Sequence, residues 1–357
     1  PVPIIGIVQD HGAVEIMRGC PNGCRFCHAG VYYRPQRMKT TERVLSDVEY
    51  LVHEGGYREI SLMSLSSGDY GGIDGLLAEL ARRYTSRHVS FQLPSLKVNS
   101  FTLPLLEKMA EVRKSGLTFA IETPVDSWQL ALNKEVCRDR VLGILNEARR
   151  RGWNKAKFYF MVGLPVGDGS TREEKEIVDF MLEIQDRTRM QCNVNVGTFI
   201  PKPHTPFQWA RQLTETEADA KLSFIHGILP KGRFKVSTHR PFSSFLESMI
   251  SRGDERVGDI VLEAWRRGCR LDAWEDYAKP EIWRAVIDEA DWDVAEATNR
   301  ERDVSERLPW DGVSLGPPKG WYKREFERSR QGSLTAPCAP DCAESCGTCR
   351  DGVKTVR

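Results

Sequence analysis

The sequence is short of the features that mark membrane, secreted and strongly charged proteins. It has no apolar run near the roughly 20 residues that span a bilayer. Its first twenty residues include Asp10, Glu15 and Arg18, which interrupt any signal-peptide core. Charge of one sign is not in excess, since 51 Lys and Arg accompany 50 Asp and Glu for a net charge of +1. A bulk attraction to nucleic acid or anionic lipid is therefore absent, and we expect a cytoplasmic protein with no membrane contact.

The chain also lacks an internal sequence repeat. With 357 residues, of which 40% are hydrophobic and 28% charged, it has the composition of a soluble globular protein of about two domains. Because it begins with Pro1 rather than Met, we expect either a processed chain or a piece of a longer one.

Cysteine is plentiful, but its spacing is not that of a disulfide framework. Seven of the ten cysteines fall into two groups, Cys20, Cys24 and Cys27 near the start and Cys338, Cys342, Cys346 and Cys349 near the end. Clustering at metal-ligand spacing indicates bound metal and a reducing compartment. The other three have no partner in sequence and are predicted to be small buried apolar residues, namely Cys137, Cys192 and Cys269.

The first two-thirds of the chain alternates strand-like and helix-like patterns. Strands are predicted at residues 13–17, 59–65, 89–93, 117–122, 157–162 and 193–200. Helical periodicity lies between them, as in the predicted helix that Thr41 caps and in which Val44, Leu45 and Val48 share one face. Six strand–helix units in a row predict parallel strands with ligands at their carboxyl ends. Six units are fewer than a closed eight-fold barrel needs.

The alternation fades near residue 213. Residues 213–330 are rich in Trp, Arg and Glu and predict a mostly helical extension, which ends in a proline-containing, loop-rich connection. Residues 331–357 form a Cys-rich tail. We therefore divide the chain into an α/β domain at residues 1–212, a helical extension at 213–330 and a metal-binding tail at 331–357.

The most informative segment is a cysteine loop that follows directly after the first strand. It reads Arg-Gly-Cys-Pro-Asn-Gly-Cys-Arg-Phe-Cys-His over residues 18–28, with the spacing C-x3-C-x2-C. Three thiolates from one tight loop can bind three irons of a [4Fe–4S] cluster and leave the fourth iron open to a substrate or cofactor. The residues alone leave two alternatives, a zinc site completed by His28 and unligated core cysteines.

This loop resembles the signature of the radical S-adenosylmethionine (SAM) superfamily. The spacing, the aromatic Phe26 before the third Cys and the position after the first strand all agree. The resemblance implies a [4Fe–4S] cluster held by Cys20, Cys24 and Cys27, shielded by Phe26, with SAM as cofactor. It also implies a partial (β/α)6 barrel of the TIM type, to which the helical extension and the Cys-rich tail are added.

The resemblance continues at the end of the second strand. Ser67, Gly68 and Asp69 stand where the superfamily has a small-small-acidic motif that meets the methionine ammonium of SAM. The usual residues there are Gly-Gly-Glu, so this chain departs from the pattern at the carboxylate. A turn or a helix cap is the alternative reading of the same three residues.

Later strand ends supply the remaining implied cofactor contacts. Ser95 or Gln92 after the third strand and Glu122 at the end of the fourth are implied to face the ribose, and Met161 and Gly163 on the fifth are implied to flank the adenine. The alternatives are a surface or salt-bridged Glu122, and packed core positions for Met161 and Gly163.

The residues that follow the sixth strand resemble one branch of the superfamily. Residues 201–209 read Pro-Lys-Pro-His-Thr-Pro-Phe-Gln-Trp and resemble the methylthiotransferase-like branch, within it a poorly characterised family whose longer members carry an N-terminal cobalamin-binding-like domain. That domain is missing from this sequence, which leaves a cobalamin link without support. His204 and His239 are candidates to donate or relay protons, with a structural histidine as the alternative for each.

The tail carries the second cysteine group. Residues 338–349 have the spacing C-x3-C-x3-C-x2-C, and four thiolates in a segment too short to form a core need something to gather them. Cys338, Cys342, Cys346 and Cys349 are therefore predicted to bind a second metal, either an auxiliary [4Fe–4S] cluster or a structural zinc ion.

The resemblance implies an enzyme that cleaves SAM reductively to a 5′-deoxyadenosyl radical, with a flavodoxin- or ferredoxin-type electron donor. An RNA base is a candidate substrate by analogy with the methylthiotransferases, as is methyl or methylthio transfer, although the net charge gives no support. Two alternatives come from other classes: a non-catalytic iron–sulfur scaffold that docks a partner domain or subunit through residues 263–321, and a zinc-binding interaction module.

Overall fold

Parallel β-strands form the framework of the chain. A computed structural model describes residues 10–93, 117–339 and 346–349. In chain order the strands of these residues are β1 (Gly12–Glu15), β2 (Met17–Arg18), β3 (Arg37–Met38), β4 (Glu59–Met63), β5 (Ser90–Gln92), β6 (Leu117–Glu122), β7 (Lys155–Val162), β8 (Gln191–Thr198) and β9 (Phe234–Thr238). One sheet has the order β1-β4-β5 and another the order β6-β7-β8-β9. All neighbours within these two sheets are parallel, so the carboxyl ends of each sheet's strands face one side.

Helices follow the strands and continue into the extension. The helices of the described residues are α1 (Ala29–Tyr32), α2 (Thr41–His53), α3 (Ile73–Tyr84), α4 (Asp126–Ala131), α5 (Arg138–Arg150), α6 (Glu173–Thr188), α7 (Glu215–Ile228), α8 (Pro241–Arg252), α9 (Arg256–Arg266), α10 (Pro280–Asp288), α11 (Val294–Asn299) and α12 (Lys319–Arg330). Within the described ranges, none of these helices combines the length and apolarity that crossing a bilayer requires.

The predicted alternation of strands and helices is confirmed, with small shifts at the ends. Each of the six predicted strands overlaps a parallel strand. The cap of α2 is Thr40 rather than Thr41, because the Thr40 side chain accepts the backbone N–H of Arg43. Residues 94–116, which include most of the helical pattern between the third and fourth predicted strands, lie outside the described residues.

A seventh parallel strand lies in the segment that the sequence predicted to be mostly helical. Strand β9 pairs with β8 from Cys192↔Phe234 to Val196↔Thr238. Val236 and Thr238 are β-branched and favour extended backbone, and the free edge of β8 offers them a hydrogen-bonding partner. The α/β framework of parallel strands therefore continues beyond residue 212.

Among the described residues, three hydrophobic clusters make up the core. The first lies between the sheets and the flanking helices, where Phe158 and Val194 are fully buried. The second joins the segment after β8 to α12 through Trp209 and Phe326, and Phe26 of the cysteine loop packs against it. The third holds α8, α9 and α10 together around Met249. The second cluster therefore connects the C-terminal extension directly to the cysteine loop.

Candidate functional site

The cysteine loop leaves β2 and ends at α1. The short antiparallel pair of β2 and β3 fixes its entry, and Cys20, Cys24 and Cys27 are all half-buried on it. The backbone N–H of Cys27 donates to the carbonyl of Cys24 at 3.0 Å. Gly19 has φ +82, and a Cβ there would stand 2.6 Å from the Tyr33 carbonyl oxygen, so glycine is needed at the entry.

The donor set of this loop fits an iron–sulfur cluster. Thiolates are the ligands that such clusters use, and each cysteine binds a different iron, so the three sulfur atoms need not converge on one point. Within the described ranges, no group of three or more His, Cys, Asp or Glu side chains lies close enough to hold a single metal ion. Burial raises the pKa of the Cys20 thiol, which a hydrogen bond from Asn22 opposes.

Asp69 is tied directly to the cysteine loop. Its Oδ2 accepts a hydrogen bond from Asn22 Nδ2 at 2.6 Å and another from Ser66 Oγ at 2.6 Å. The same Asn22 amide lies 3.5 Å from Cys20 Sγ. The acidic residue of the predicted SAM motif therefore stands beside the first of the three cysteines.

The two small residues of that motif lie in a 3-10 turn, Ser67–Asp69, just after β4. Ser67 is fully buried, and its hydroxyl bonds to Ser64 Oγ at 2.9 Å and to the Leu62 carbonyl at 3.3 Å. Gly68 is half-buried between Ser67 and Asp69. A turn at residues 67–69 is compatible with a contact to SAM, because the turn holds Asp69 against the cysteine loop.

Glu122 closes β6 and forms an ion pair. It has φ +66, and the pairing of β6 with β7 shifts register between Ala120 and Glu122. Its Oε1 accepts Lys134 Nζ at 2.6 Å, and the two side chains are only 12% and 11% exposed. Lys134 also interacts electrostatically with Cys24 and lies 5.7 Å from the centre of the Phe26 ring. Glu122 is thus salt-bridged, as the alternative proposed, and its partner faces the cysteine loop.

We expect Lys134→Met to lower the free energy of unfolding by about 2 kcal/mol, because the Glu122 carboxylate then remains buried without its cation. The double variant Lys134→Met, Glu122→Gln should recover most of this loss. Urea denaturation followed by circular dichroism measures both. The exposed pair of Arg18 and Glu15 provides the control, since Glu15→Gln should change the free energy by less than about 1 kcal/mol. Equal effects of Lys134→Met and Glu15→Gln would contradict the expectation.

The two predicted adenine-flanking residues lie at the end of β7. Met161 is half-buried and packs against the second hydrophobic cluster, as Phe26 does. Gly163 has φ +82, and its N–H donates to Glu173 Oε1 at 2.7 Å. A Cβ on Gly163 would stand 2.7 Å from Leu213 Cγ, so its backbone position requires glycine. Packing of Met161 in the core is compatible with a contact to the adenine, since a packed thioether at a strand end can also face a ligand.

The two candidate histidines have different surroundings. His204 is half-buried after β8, with its ring 6.4 Å from that of Tyr322. Burial and the nearby His28 lower the pKa of His204, and burial together with Lys202 lowers the pKa of His28. His239 is exposed beyond the end of β9. The structure therefore brings His204 to the residue that follows Cys27 and leaves His239 on an exposed end of the edge strand.

The described part of the tail lies against the cysteine loop. The backbone N–H of Cys338 donates to the carbonyl of Pro21 at 2.8 Å. Cys346 is buried in the second hydrophobic cluster, and its Sγ donates to Thr348 Oγ1 at 3.4 Å. Cys349 is exposed. Two predicted site residues, Cys342 and Ser95, lie outside the described residues.

The three remaining cysteines follow the prediction only in part. Cys192 and Cys269 are buried, as predicted. Cys137 is exposed, and the prediction of a buried residue is wrong, because it occupies the N-cap position of α5 where the chain enters the helix from a surface loop.

Three residues of the site were missed by sequence reasoning. Asn22, Arg25 and Lys134 each contact another segment: Asn22 bonds to Asp69, Arg25 to Glu325 and Lys134 to Glu122. Two of them lie between cysteines, where the sequence reads as an ordinary polar loop. Their partners are 47 and 300 residues away, so no local pattern could have identified them.

Comparison with known proteins agrees with this geometry. Residues 14–181 match the family model described as the Radical SAM superfamily. An uncharacterised protein of Methanocaldococcus jannaschii is 28% identical over 270 residues, which cover 72% of this chain and 57% of that protein. A tRNA-2-methylthio-N(6)-dimethylallyladenosine synthase of Frankia casuarinae is 31% identical over 145 residues, 38% of this chain and 26% of that enzyme. The chain thus spans little more than half the length of the first relative and about a quarter of the second.

One solved structure that aligns with part of this chain is the radical S-adenosylmethionine methyltransferase TsrM of Kitasatospora setae, with cobalamin and a [4Fe–4S] cluster bound. The TM-score is 0.48 at 12% identity, covering 78% of this chain and 61% of TsrM.

A three-cysteine loop at the carboxyl end of a parallel sheet defines an iron–sulfur protein of the partial-barrel class. Together with the match over residues 14–181, it identifies these residues as a radical SAM domain. The similar proteins include a tRNA-2-methylthio-N(6)-dimethylallyladenosine synthase and an uncharacterised archaeal protein, in agreement with the branch predicted from residues 201–209.

Proposed function

We propose that this chain cleaves SAM reductively and directs the resulting radical to a substrate C–H bond. The observation that carries the proposal is the three-thiol loop with Asp69 bound to it through Asn22. A [4Fe–4S] cluster held by Cys20, Cys24 and Cys27 would supply the electron that splits SAM into methionine and the 5′-deoxyadenosyl radical.

The side chains around the loop have distinct tasks in this proposal. Asp69, fixed by Asn22 and Ser66, accepts a hydrogen bond from the methionine ammonium. Glu122 accepts hydrogen bonds from the ribose hydroxyls while Lys134 holds its carboxylate in place. The second hydrophobic cluster, on which Phe26 packs, keeps water from the reacting centre. Met161 lies on the same cluster and flanks the adenine.

Formation of 5′-deoxyadenosine tests the proposal. The anaerobic chain is reconstituted with iron and sulfide and incubated with SAM and dithionite, and the nucleoside is measured by chromatography with mass detection. Formation that depends on both reagents is the expected result. Intact iron without any 5′-deoxyadenosine would instead favour the non-catalytic scaffold.

The substrate that we propose is a base of RNA, modified by methyl or methylthio transfer. The similar protein of Frankia casuarinae is a tRNA-2-methylthio-N(6)-dimethylallyladenosine synthase, and this is the support for the proposal. His204, half-buried beside His28, is the candidate for moving a proton on that substrate. Modified nucleosides from cells with and without the gene should differ in one species, and S-adenosylhomocysteine beside 5′-deoxyadenosine would identify methyl transfer. Identical nucleoside profiles would exclude an RNA substrate.

We also propose that Cys338, Cys342, Cys346 and Cys349 bind a second metal. Iron–sulfur and zinc are distinguished by metal analysis of the anaerobic protein, since two clusters give about eight irons per chain and a single cluster with zinc gives about four. An electron donor of the flavodoxin or ferredoxin type completes the proposed system.

A further inference from the structure

A cleft in the helical extension lies outside the site described above. Its volume is about 920 Å³, which is within the range of pockets that bind small molecules. Its walls come from the start of α7, from α8, from the segment between α9 and α10, and from the start of α10. We refer to it as the extension cleft.

Part of the lining of the extension cleft is apolar. Phe242 and Trp283 are only 9% and 7% exposed and belong to the third hydrophobic cluster, against which Leu246 also packs. Ile250 lines the same cleft and is 56% exposed. The cleft therefore offers apolar surface that the body of a ligand can cover, and such burial is favourable.

The charged part of the lining is mostly acidic. Five acids line the cleft, namely Glu215, Asp219, Glu247, Asp272 and Glu275. The lining has two cations, Arg240 and Arg284, and Lys202 pairs with Glu247 from outside it. Within the part of the chain that the structure describes, Asp219 and Glu275 form no ion pair. The extension cleft thus has an excess of negative charge, which attracts a cation and repels the phosphates of nucleic acid.

Arg284 shows how a cation is bound in this cleft. Its two terminal nitrogens donate to Glu215 Oε1 at 3.1 Å and to Glu215 Oε2 at 2.7 Å. Its guanidinium carbon lies 3.9 Å from the centre of the Phe242 ring. Carboxylates beside aromatic surface are the combination that binds organic cations, and one cation of the protein already uses it here.

Trp283 supplies an independent indication of a ligand. Its indole Nε1–H is buried and has no hydrogen-bond acceptor among the described residues. A buried donor that is left unpaired costs free energy, and an oxygen of a ligand that enters the cleft can accept this hydrogen bond. The side chain therefore adds a hydrogen-bond acceptor to the chemistry expected of the ligand.

The position of the extension cleft is also that of a binding site. Helix α8 begins at Pro241, soon after β9 ends at Thr238, so the cleft lies beyond the carboxyl end of a parallel strand. Ligands of α/β proteins bind at such strand ends. Because Glu247 of α8 pairs with Lys202, the cleft adjoins the segment of residues 201–209 that carries His204.

We propose that the extension cleft binds a small amphipathic amine. Its ammonium group pairs with the carboxylates of Asp219 and Glu275, and its apolar body covers Leu246 and Ile250. An oxygen of the same ligand accepts the Nε1–H of Trp283. This ligand differs from the RNA base proposed as substrate, and its binding uses neither SAM nor the iron–sulfur cluster, so the inference goes beyond the proposed function.

Tyramine is the probe that tests this inference, because it combines an ammonium group, an aromatic ring and a phenolic oxygen. Saturation-transfer NMR of the anaerobically reconstituted full chain measures its binding. We expect a dissociation constant of about 1 mM, an affinity within reach of a ligand of this size. N-acetyltyramine, which lacks the charge, should bind at least about tenfold more weakly, and phenethylamine, which lacks the oxygen, about fivefold more weakly.

Variants of the lining acids locate the binding to the extension cleft. The double variant Asp219→Asn, Glu275→Gln should weaken tyramine binding at least about tenfold, because it removes the carboxylates that face the ammonium group. Both side chains are exposed, so the variant should fold, which circular dichroism checks. Asp186→Asn changes an exposed acid of α6 outside the cleft and should bind tyramine as the parent does.

Three results would overturn the inference: no binding of tyramine, equal binding of tyramine and N-acetyltyramine, or equal affinity of the double variant and the parent. Failure of the proposed function is recognised separately. In that case the chain would bind tyramine as expected and still form no 5′-deoxyadenosine with SAM and dithionite.

Discussion

Replacing Cys24 by Ala should bring formation of 5′-deoxyadenosine to background. Cys24 is the middle cysteine of the loop, and its carbonyl accepts the N–H of Cys27, so the substitution removes one of the three thiolates that we propose as cluster ligands. The two remaining thiolates can bind only two irons of a [4Fe–4S] cluster. The cluster, and with it the open iron proposed to bind SAM, should therefore be lost. The measurement is anaerobic turnover with SAM and dithionite, together with the iron content.

The matched control for this variant is Cys137→Ala. Cys137 is exposed at the start of α5 and belongs to neither cysteine group, so turnover and iron content should equal those of the parent. Turnover by Cys24→Ala at the rate of the parent would show that the loop is not the reacting centre.

Arg25→Met should cost about 3 to 5 kcal/mol of the free energy of unfolding. The substitution leaves the Glu325 carboxylate, 2% exposed, without the guanidinium that lies 3.2 Å from it, and it also removes the donors to Ser333 and Thr335. Chemical denaturation of the metal-free chain measures the change. Glu325 keeps its bond with Arg328 at 3.0 Å, which places the loss nearer the lower figure.

Two further variants test whether the buried ion pair accounts for the lower stability of Arg25→Met. The double variant Arg25→Met, Glu325→Met should recover most of the stability, because an apolar pair of similar volume replaces a buried ion pair at little cost. Arg18→Met, which removes an exposed pair with Glu15, should leave the free energy of unfolding almost unchanged. If Arg25→Met were no more harmful than Arg18→Met, the segment of residues 333–338 would not be held against the loop by this contact.

Local pattern was enough to predict the strands and the place of the cysteine loop. A run such as residues 157–162 alternates or clusters apolar side chains whether or not its neighbours are known, and the spacing of Cys20, Cys24 and Cys27 is local by nature. The same holds for α2, in which Val44 and Val48 repeat at helical spacing and are buried.

Contacts between distant segments account for what the sequence did not reveal. Strand β9 exists because the edge of β8 was available to it, and that edge is defined only once the sheet has formed. Lys134 follows a short helix in which nothing marks it as a partner of Glu122. Arg25 resembles any polar loop residue until Glu325 closes over it. Burial of Cys137 was mispredicted because residue type indicates an average tendency and not a position on the surface.

The segment of residues 333–338, which contacts the cysteine loop, has a consequence for biosynthesis. Arg25 is synthesised 300 residues ahead of Glu325, so the loop is made long before the segment that packs on it. During that interval the three thiols are not yet covered by residues 333–338. We therefore expect a cluster on this loop to assemble more readily before the C-terminal segment has folded than after it.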